Sequence, residues 1–205
     1  MNILIIGDSF AADWTVKYPE LIGWPNLLEK DHNVTNLAQA GVGEYKILRQ
    51  LETLTNLDEY DLVIISHTSP YRVNTRFHPV HHDDILHKNA DLIYTDIEYH
   101  KGRLKNIFNR SLRTAFKYFI YHFDIEYQER MYLLIKNEIH RILKNKNTLI
   151  ISNLDLKSFG LSDNNIIFID QIQNKHPGLA NHLSYTGNKL VYEKIINFIN
   201  TRRIK

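Results

Sequence analysis

Two residues far apart in this 205-residue chain are of the types that do nucleophilic chemistry together. They are Ser9, in Gly7-Asp8-Ser9-Phe10, and His182, in His182-Leu183-Ser184-Tyr185-Thr186-Gly187. A serine hydroxyl is a weak nucleophile until a neighbouring base takes its proton, and an imidazole titrates in the right range to do so. If folding brings them together, the chemistry is acyl transfer through a covalent serine ester. Taken singly, each has a plainer explanation. Gly-Asp-Ser occurs in many loops, where Asp or Ser serves as a helix N-cap, and a lone histidine is more often a surface or core residue.

The surrounding elements decide between these readings. Asn2 to Ile6 is short and nearly all apolar, as expected of a central parallel strand covered on both faces. It runs directly into the Gly7 turn, which places Ser9 at the carboxyl end of a strand, where open α/β sheets bind their ligands. A helix starting next would set the Ser9 N–H near a positive helix end, ready to donate to a developing oxyanion. The run from His32 to Leu37 predicts a second strand, ending in the small-residue loop Asn36-Leu37-Ala38-Gln39-Ala40-Gly41-Val42-Gly43. Its glycines let backbone N–H groups approach an anion, although neither a Walker lysine nor a full dinucleotide fingerprint is present.

Further strands are expected at Asp61–Ser66, Thr148–Ser152 and Ile166–Asp170. Helices are expected at Trp24–Lys30, Glu44–Leu57, Asp124–Lys144 and Ser184–Arg202. Strand-then-helix repetition predicts an α/β fold with one parallel sheet covered by helices on both faces. The whole chain reads as one domain, 1–205, with a helical insertion at about 73–123 where the rhythm fails. That segment is a candidate lid or a contact surface for a second copy in a homo-oligomer. His78, His81, His82, Asp83, Asp84 and His87 lie within it, but their spacing matches no dedicated metal pattern, so they read as a solvated polar loop with no metal. No cofactor is expected.

With no cysteine, the chain has neither disulfides nor thiolate metal sites, and a formal net charge of +2 calls for no nucleic-acid partner. No apolar run approaches a membrane span, and the first strand begins without a basic, cleavable leader, which reads as a cytoplasmic protein.

The Gly7-Asp8-Ser9-Phe10 turn, the Asn36–Gly41 loop and the His182–Gly187 stretch together resemble three of the four sequence blocks of the SGNH (GDSL-type) hydrolases, in that family's order. The resemblance implies a flavodoxin-like three-layer fold with a five-stranded parallel sheet. It also implies Ser9 as nucleophile, His182 as base, and the Ser9 and Gly41 N–H groups as oxyanion donors. Two departures stand out. The family's Gly-x-Asn-Asp block after the third strand is here His67-Thr68-Ser69-Pro70-Tyr71-Arg72. That leaves Thr68 or Ser69 to donate in place of the asparagine, with Asp8 and Arg72 as candidate substrate-binding groups. The family's Asp three residues before the histidine is Leu179, so a backbone carbonyl or another carboxylate such as Asp170 must orient His182. The expected activity is esterase or acyl hydrolase action on a small acyl ester, with an O-acetylated carbohydrate favoured by analogy. The alternatives are an O-acyltransferase using the same pair, or a binding protein on a degenerate hydrolase scaffold.

Overall fold

The computed structural model describes residues 1–152, 165–179 and 182–202. Five strands, β1 (Asn2–Gly7), β2 (Asn33–Asn36), β3 (Leu62–Ser66), β4 (Thr148–Ser152) and β5 (Ile166–Phe168), form one sheet in the order β2-β1-β3-β4-β5, with every pairing parallel. This is the flavodoxin-like order. β1 and β3, buried along nearly their whole length, are neighbours in the middle of the sheet.

Side chains alternate across each strand and fill two cores. Ile3, Ile5, Leu62 and Ile64 pack with Trp24 and Leu28 of α1 (Trp24–Leu28) and with Val191, Ile195 and Ile199 of α7 (Tyr185–Arg202). Leu4, Ile6, Val63 and Ile65 face the other way, onto Ile47, Leu48 and Leu51 of α2 (Glu44–Glu52) and Ile139 of α5 (Ile125–Ile142). The result is a three-layer α/β/α sandwich.

Several boundaries differ from the sequence expectation. The first helix stops at Leu28, short of Lys30. The second ends at Glu52, where the Thr53 hydroxyl turns back to donate to the Gln50 carbonyl, and a separate 3-10 turn follows at Leu57–Glu59. The fifth strand ends at Phe168, and Asp170 instead begins a short helix, α6 (Asp170–Lys175).

Between β3 and α5 the chain leaves the sheet. Val73 and Leu92 form an antiparallel bridge that closes a long loop. Two helices follow, α3 (Tyr94–Lys101) and α4 (Arg110–Tyr121), which share a small core of Ile97, Leu112, Ala115 and Phe119. The aromatic run 116–123 is divided: Phe119 is buried in that core, whereas Tyr121 is exposed. Among the described residues no helix is long and apolar enough to cross a membrane.

Candidate active site

The turn carrying Ser9 begins where β1 and β3 come closest. Gly7 pairs with Ser66 and has φ +153°. A Cβ on Gly7 would lie 2.6 Å from the Ser66 Cβ and 2.7 Å from its carbonyl oxygen, so only glycine fits. Gln50 of α2 reaches under the sheet edge and clamps this residue from both sides. Its Oε1 accepts the Gly7 N–H at 2.8 Å and its Nε2 donates to the Gly7 carbonyl at 3.0 Å.

The next carbonyls are each tied to a different element. The Trp14 indole donates to the Ser9 carbonyl at 2.8 Å, the Trp24 indole to that of Phe10 at 2.8 Å, and the Asn36 amide to that of Ala11 at 2.9 Å. The Asp8 carbonyl takes the Ala11 and Ala12 amides. Residues 8–12 thus make a single fixed turn; no helix starts directly after Ser9, and the nearest helical residues are a 3-10 turn at Trp14–Val16.

The second loop is held just as closely. Gly41 has φ +79°, and a Cβ there would meet Ala90 Cβ at 2.8 Å. Its carbonyl accepts the Asp91 amide at 2.9 Å and Arg72 Nη1 at 3.0 Å. The Asp91 carboxylate is buried and accepts from Gly43 N at 2.7 Å, Thr75 N at 2.8 Å and Lys46 Nζ at 2.6 Å. Among the described residues, neither the Ser9 N–H nor the Gly41 N–H donates a hydrogen bond within the protein.

His182 enters from the loop between α6 and α7, which Pro177 and Leu183 close with an antiparallel bridge. Its ring lies 4.5 Å from the Trp14 ring and 5.0 Å from that of Phe10, centroid to centroid. Nδ1 is 3.3 Å from the Leu179 carbonyl oxygen. A carbonyl can only accept, so this contact favours the tautomer with the proton on Nδ1 and leaves Nε2 as the basic nitrogen. The residue three before the histidine, Leu179, thus meets the ring through its backbone carbonyl. Asp170 is exposed at the start of α6 and makes no bond to His182. No hydrogen bond joins Ser9 to His182 in this arrangement; such contacts often tighten only when substrate binds.

Ser9 and His182 line two spaces. One is a recess of about 90 Å³ walled by Phe10, Trp14, Leu21, Ile22 and Leu183. The other is a cleft of about 900 Å³ that also holds Gly41 and Arg72 and extends to Tyr18, Tyr99 and Arg103.

Three of the sequence candidates lie elsewhere. Asp8 is buried beneath the turn rather than facing substrate. Its Oδ1 accepts from Phe10 N at 3.1 Å and Ser66 Oγ at 3.0 Å. Burial pushes its carboxyl up to about 6, against the opposing pull of Arg72, the Phe10 amide and the Ser66 and Thr68 hydroxyls. Thr68 is buried too. Its hydroxyl accepts Arg72 Nε at 3.0 Å and its amide points to Glu44 Oε2 at 3.4 Å, so it lies outside both spaces. Ser69 is likewise absent from both, and its hydroxyl oxygen accepts the Tyr71 amide. Arg72 does line the large cleft, but two of its nitrogens are engaged in bridging Thr68 to Gly41.

The histidine-rich run is a loop, as expected, but only part of it is solvated: His82 and Asp83 are exposed. His78 is only 1% exposed, and His81 and His87 form part of the cleft wall.

Sequence reasoning missed Trp14, Glu44, Gln50, Asp91 and Asp96. Glu44 begins α2 and meets His67 Nδ1 at 2.5 Å in a buried pair below the β3 loop. Beside it, His140 is driven down to about 4 by burial, with His67 and Lys136 adding to the shift.

No family model and no curated protein matches the sequence. Solved structures similar to the chain include a psychrotrophic esterase from a Pseudoalteromonas species in a form inhibited by monoethylphosphonate. It is 15% identical, with 100% of this chain and 99% of that one covered and a TM-score of 0.49. A lipase/acylhydrolase from Enterococcus faecalis is 15% identical over 98% of this chain and 96% of that one, TM-score 0.39. An acetyl xylan esterase is 13% identical over 96% and 98%, TM-score 0.40.

Proposed function

We propose that the chain is a serine ester hydrolase working through an acyl–Ser9 intermediate. The observation that carries this reading is the convergence of the Ser9 hydroxyl, the uncommitted Ser9 and Gly41 amides and the His182 imidazole on one cleft, from three separate loops. In the forward step His182 Nε2 takes the Ser9 proton as Oγ attacks the ester carbonyl. The negative charge forms on the carbonyl oxygen, where the two amides can donate to it. His182 then protonates the departing alcohol, and in the second half deprotonates the water that hydrolyses the acyl–serine.

The unequal spaces suggest which part of the ester goes where. The small recess suits a short acyl group, and the large cleft, whose lining includes Trp14, Tyr18 and Tyr99, suits a sugar-sized alcohol portion. An O-acetylated carbohydrate is the substrate class we favour. One observation supports a rival, non-catalytic binding role: no hydrogen bond joins Ser9 to His182.

Turnover of p-nitrophenyl acetate and butyrate by the wild type and by His182→Ala separates the two. The hydrolase reading expects acetate to be cleaved faster than butyrate, and a loss of about 10³-fold or more in the variant. Turnover equal in both proteins, or absent from both, would leave the binding role. Product analysis with a sugar acceptor present tells hydrolysis from acyl transfer.

A further inference from the structure

We propose that Asp96, His81 and His78 form a binding site for a divalent transition metal of the zinc class, on the cleft wall that faces Ser9. The inference does not depend on the chemistry of Ser9. Asp96 stands in the first turn of α3, and the 78–81 turn folds over it. His78 Nε2 and His81 Nε2 lie 3.3 Å and 3.2 Å from the same carboxylate oxygen, Asp96 Oδ2. One ligating atom from each of the three residues falls within 4.8 Å of the others.

Two observations separate this cluster from an ordinary ion-pair network. Charge-assisted N–H···O⁻ bonds run at about 2.7–2.9 Å, and these contacts are all longer. Moreover, although His81 Nε2 makes a long 3.4 Å contact with Oδ1, the buried Oδ2 has no hydrogen-bond partner with two imidazole nitrogens around it. The spacing fits a different geometry. Ligands at about 2.0–2.1 Å from a tetrahedral zinc ion sit roughly 3.3 Å from one another, the edge of the tetrahedron. Two imidazoles and a carboxylate, with no thiolate, are donors suited to zinc and its neighbours rather than to calcium or magnesium. The His100 ring is 5.1 Å from that of His81, and its Nε2 is 3.4 Å from Asp96 Oδ1. All three proposed ligands line the 900 Å³ cleft, so a fourth coordination position opens toward the space that holds Ser9, as in sites where a metal contacts substrate oxygen.

One feature sets what binding must change. His78 Nδ1 accepts the Val80 and His81 amides at 3.3 and 3.2 Å, so the neutral ring carries its proton on Nε2. An ion at Nε2 moves that proton to Nδ1, where the two amides can no longer donate. The 78–81 turn must rearrange as metal enters.

The test uses the untagged full chain, stripped with EDTA and titrated with zinc chloride by calorimetry, with metal content measured on the dialysed protein. The wild type is expected to hold about one ion per chain, with affinity falling roughly tenfold or more in His81→Gln and in Asp96→Asn. His122→Gln, outside the cleft, should bind as the wild type does. In the NMR spectrum the Val80 and His81 amide signals should move on zinc addition. Melting curves of the stripped proteins show whether each variant folds; if Asp96→Asn does not, His81→Gln decides. No stoichiometric uptake, or uptake unchanged in folded His81→Gln, would overturn the proposal.

Discussion

The two walls of the large cleft are fixed by different kinds of interaction. On the sheet side, the Ser9 turn is held almost wholly by neutral groups: Gln50 on Gly7, the Trp14 and Trp24 indoles, and the Asn36 amide, at 2.8–3.0 Å. On the opposite side, the loop from 74 to 91 and α3 are tied down by charged and titratable pairs. Lys17 meets Asp84, Lys46 meets Asp91, and histidines surround Asp96. A neutral clamp keeps its geometry over a wide range of pH and salt, whereas charged contacts weaken with screening. In the proposed hydrolase Ser9 thus belongs to the wall held by neutral bonds, and the charged pairs belong to the wall across from it.

Gly7→Ala is the harshest way to break the neutral wall. Its Cβ would collide with Ser66 backbone and side chain in a conformation that L-residues rarely adopt. Overpacking and backbone strain together should cost about 3–5 kcal/mol, read by chemical denaturation. An Ala variant as stable as the wild type would contradict the described β1–β3 approach. Gln50→Leu removes both clamp bonds and leaves the Gly7 N–H and carbonyl with less than their full complement of partners. A loss of about 2–4 kcal/mol is expected, with turnover falling more than KM changes.

Asp8 is the titratable exception within the neutral wall, and its sign is opposite to that of a paired carboxylate. Its folded pKa of about 6 lies above its ordinary value, so the folded state holds the proton more tightly. The stability this contributes is present below about pH 4 and lost as pH rises through about 6. Asp8→Asn keeps the acceptor for Phe10 N and Ser66 Oγ but cannot ionise. Compared with it, the wild type should lose up to about 3 kcal/mol between pH 4 and 7. Parallel stability curves for the two proteins would show that Asp8 is not buried as described. The smallest effect belongs to the charged wall. Lys17→Met breaks a partly exposed pair with Asp84 and should cost under about 1 kcal/mol, with the difference from wild type shrinking in high salt.

The sequence made the sheet and the placement of Ser9 legible for a simple reason. Consecutive apolar residues such as Ile3–Ile6 and Leu62–Ile65 have few other places to go than the middle of a parallel sheet, and the turn after the first of them must leave at its carboxyl end. Gly41 was readable because glycine marks a constrained backbone. Gln50 was not, since within an amphipathic helix it looks like one more surface polar residue; only the packing of α2 beneath β1 brings it to Gly7. Asp8 and Thr68 were placed in the site by their neighbours in the chain, but the turns that follow β1 and β3 bury them, Asp8 bonding Ser66 and Thr68 bonding Arg72. The contact at His182 Nδ1 is to a backbone carbonyl, that of Leu179, which no side-chain pattern records. The histidine run looked like a polar loop because its partners, Asp96 and His100, lie on a helix about fifteen residues further along.

The measurement that tests the central claim most directly is intact-mass analysis after exposure to a fluorophosphonate, with peptide mapping of the site, on the wild type and Ser9→Ala. A single adduct on Ser9, absent from the variant and slowed in His182→Ala, is the predicted result. A wild type that stays unlabelled, or labels equally in Ser9→Ala, would contradict a nucleophilic Ser9.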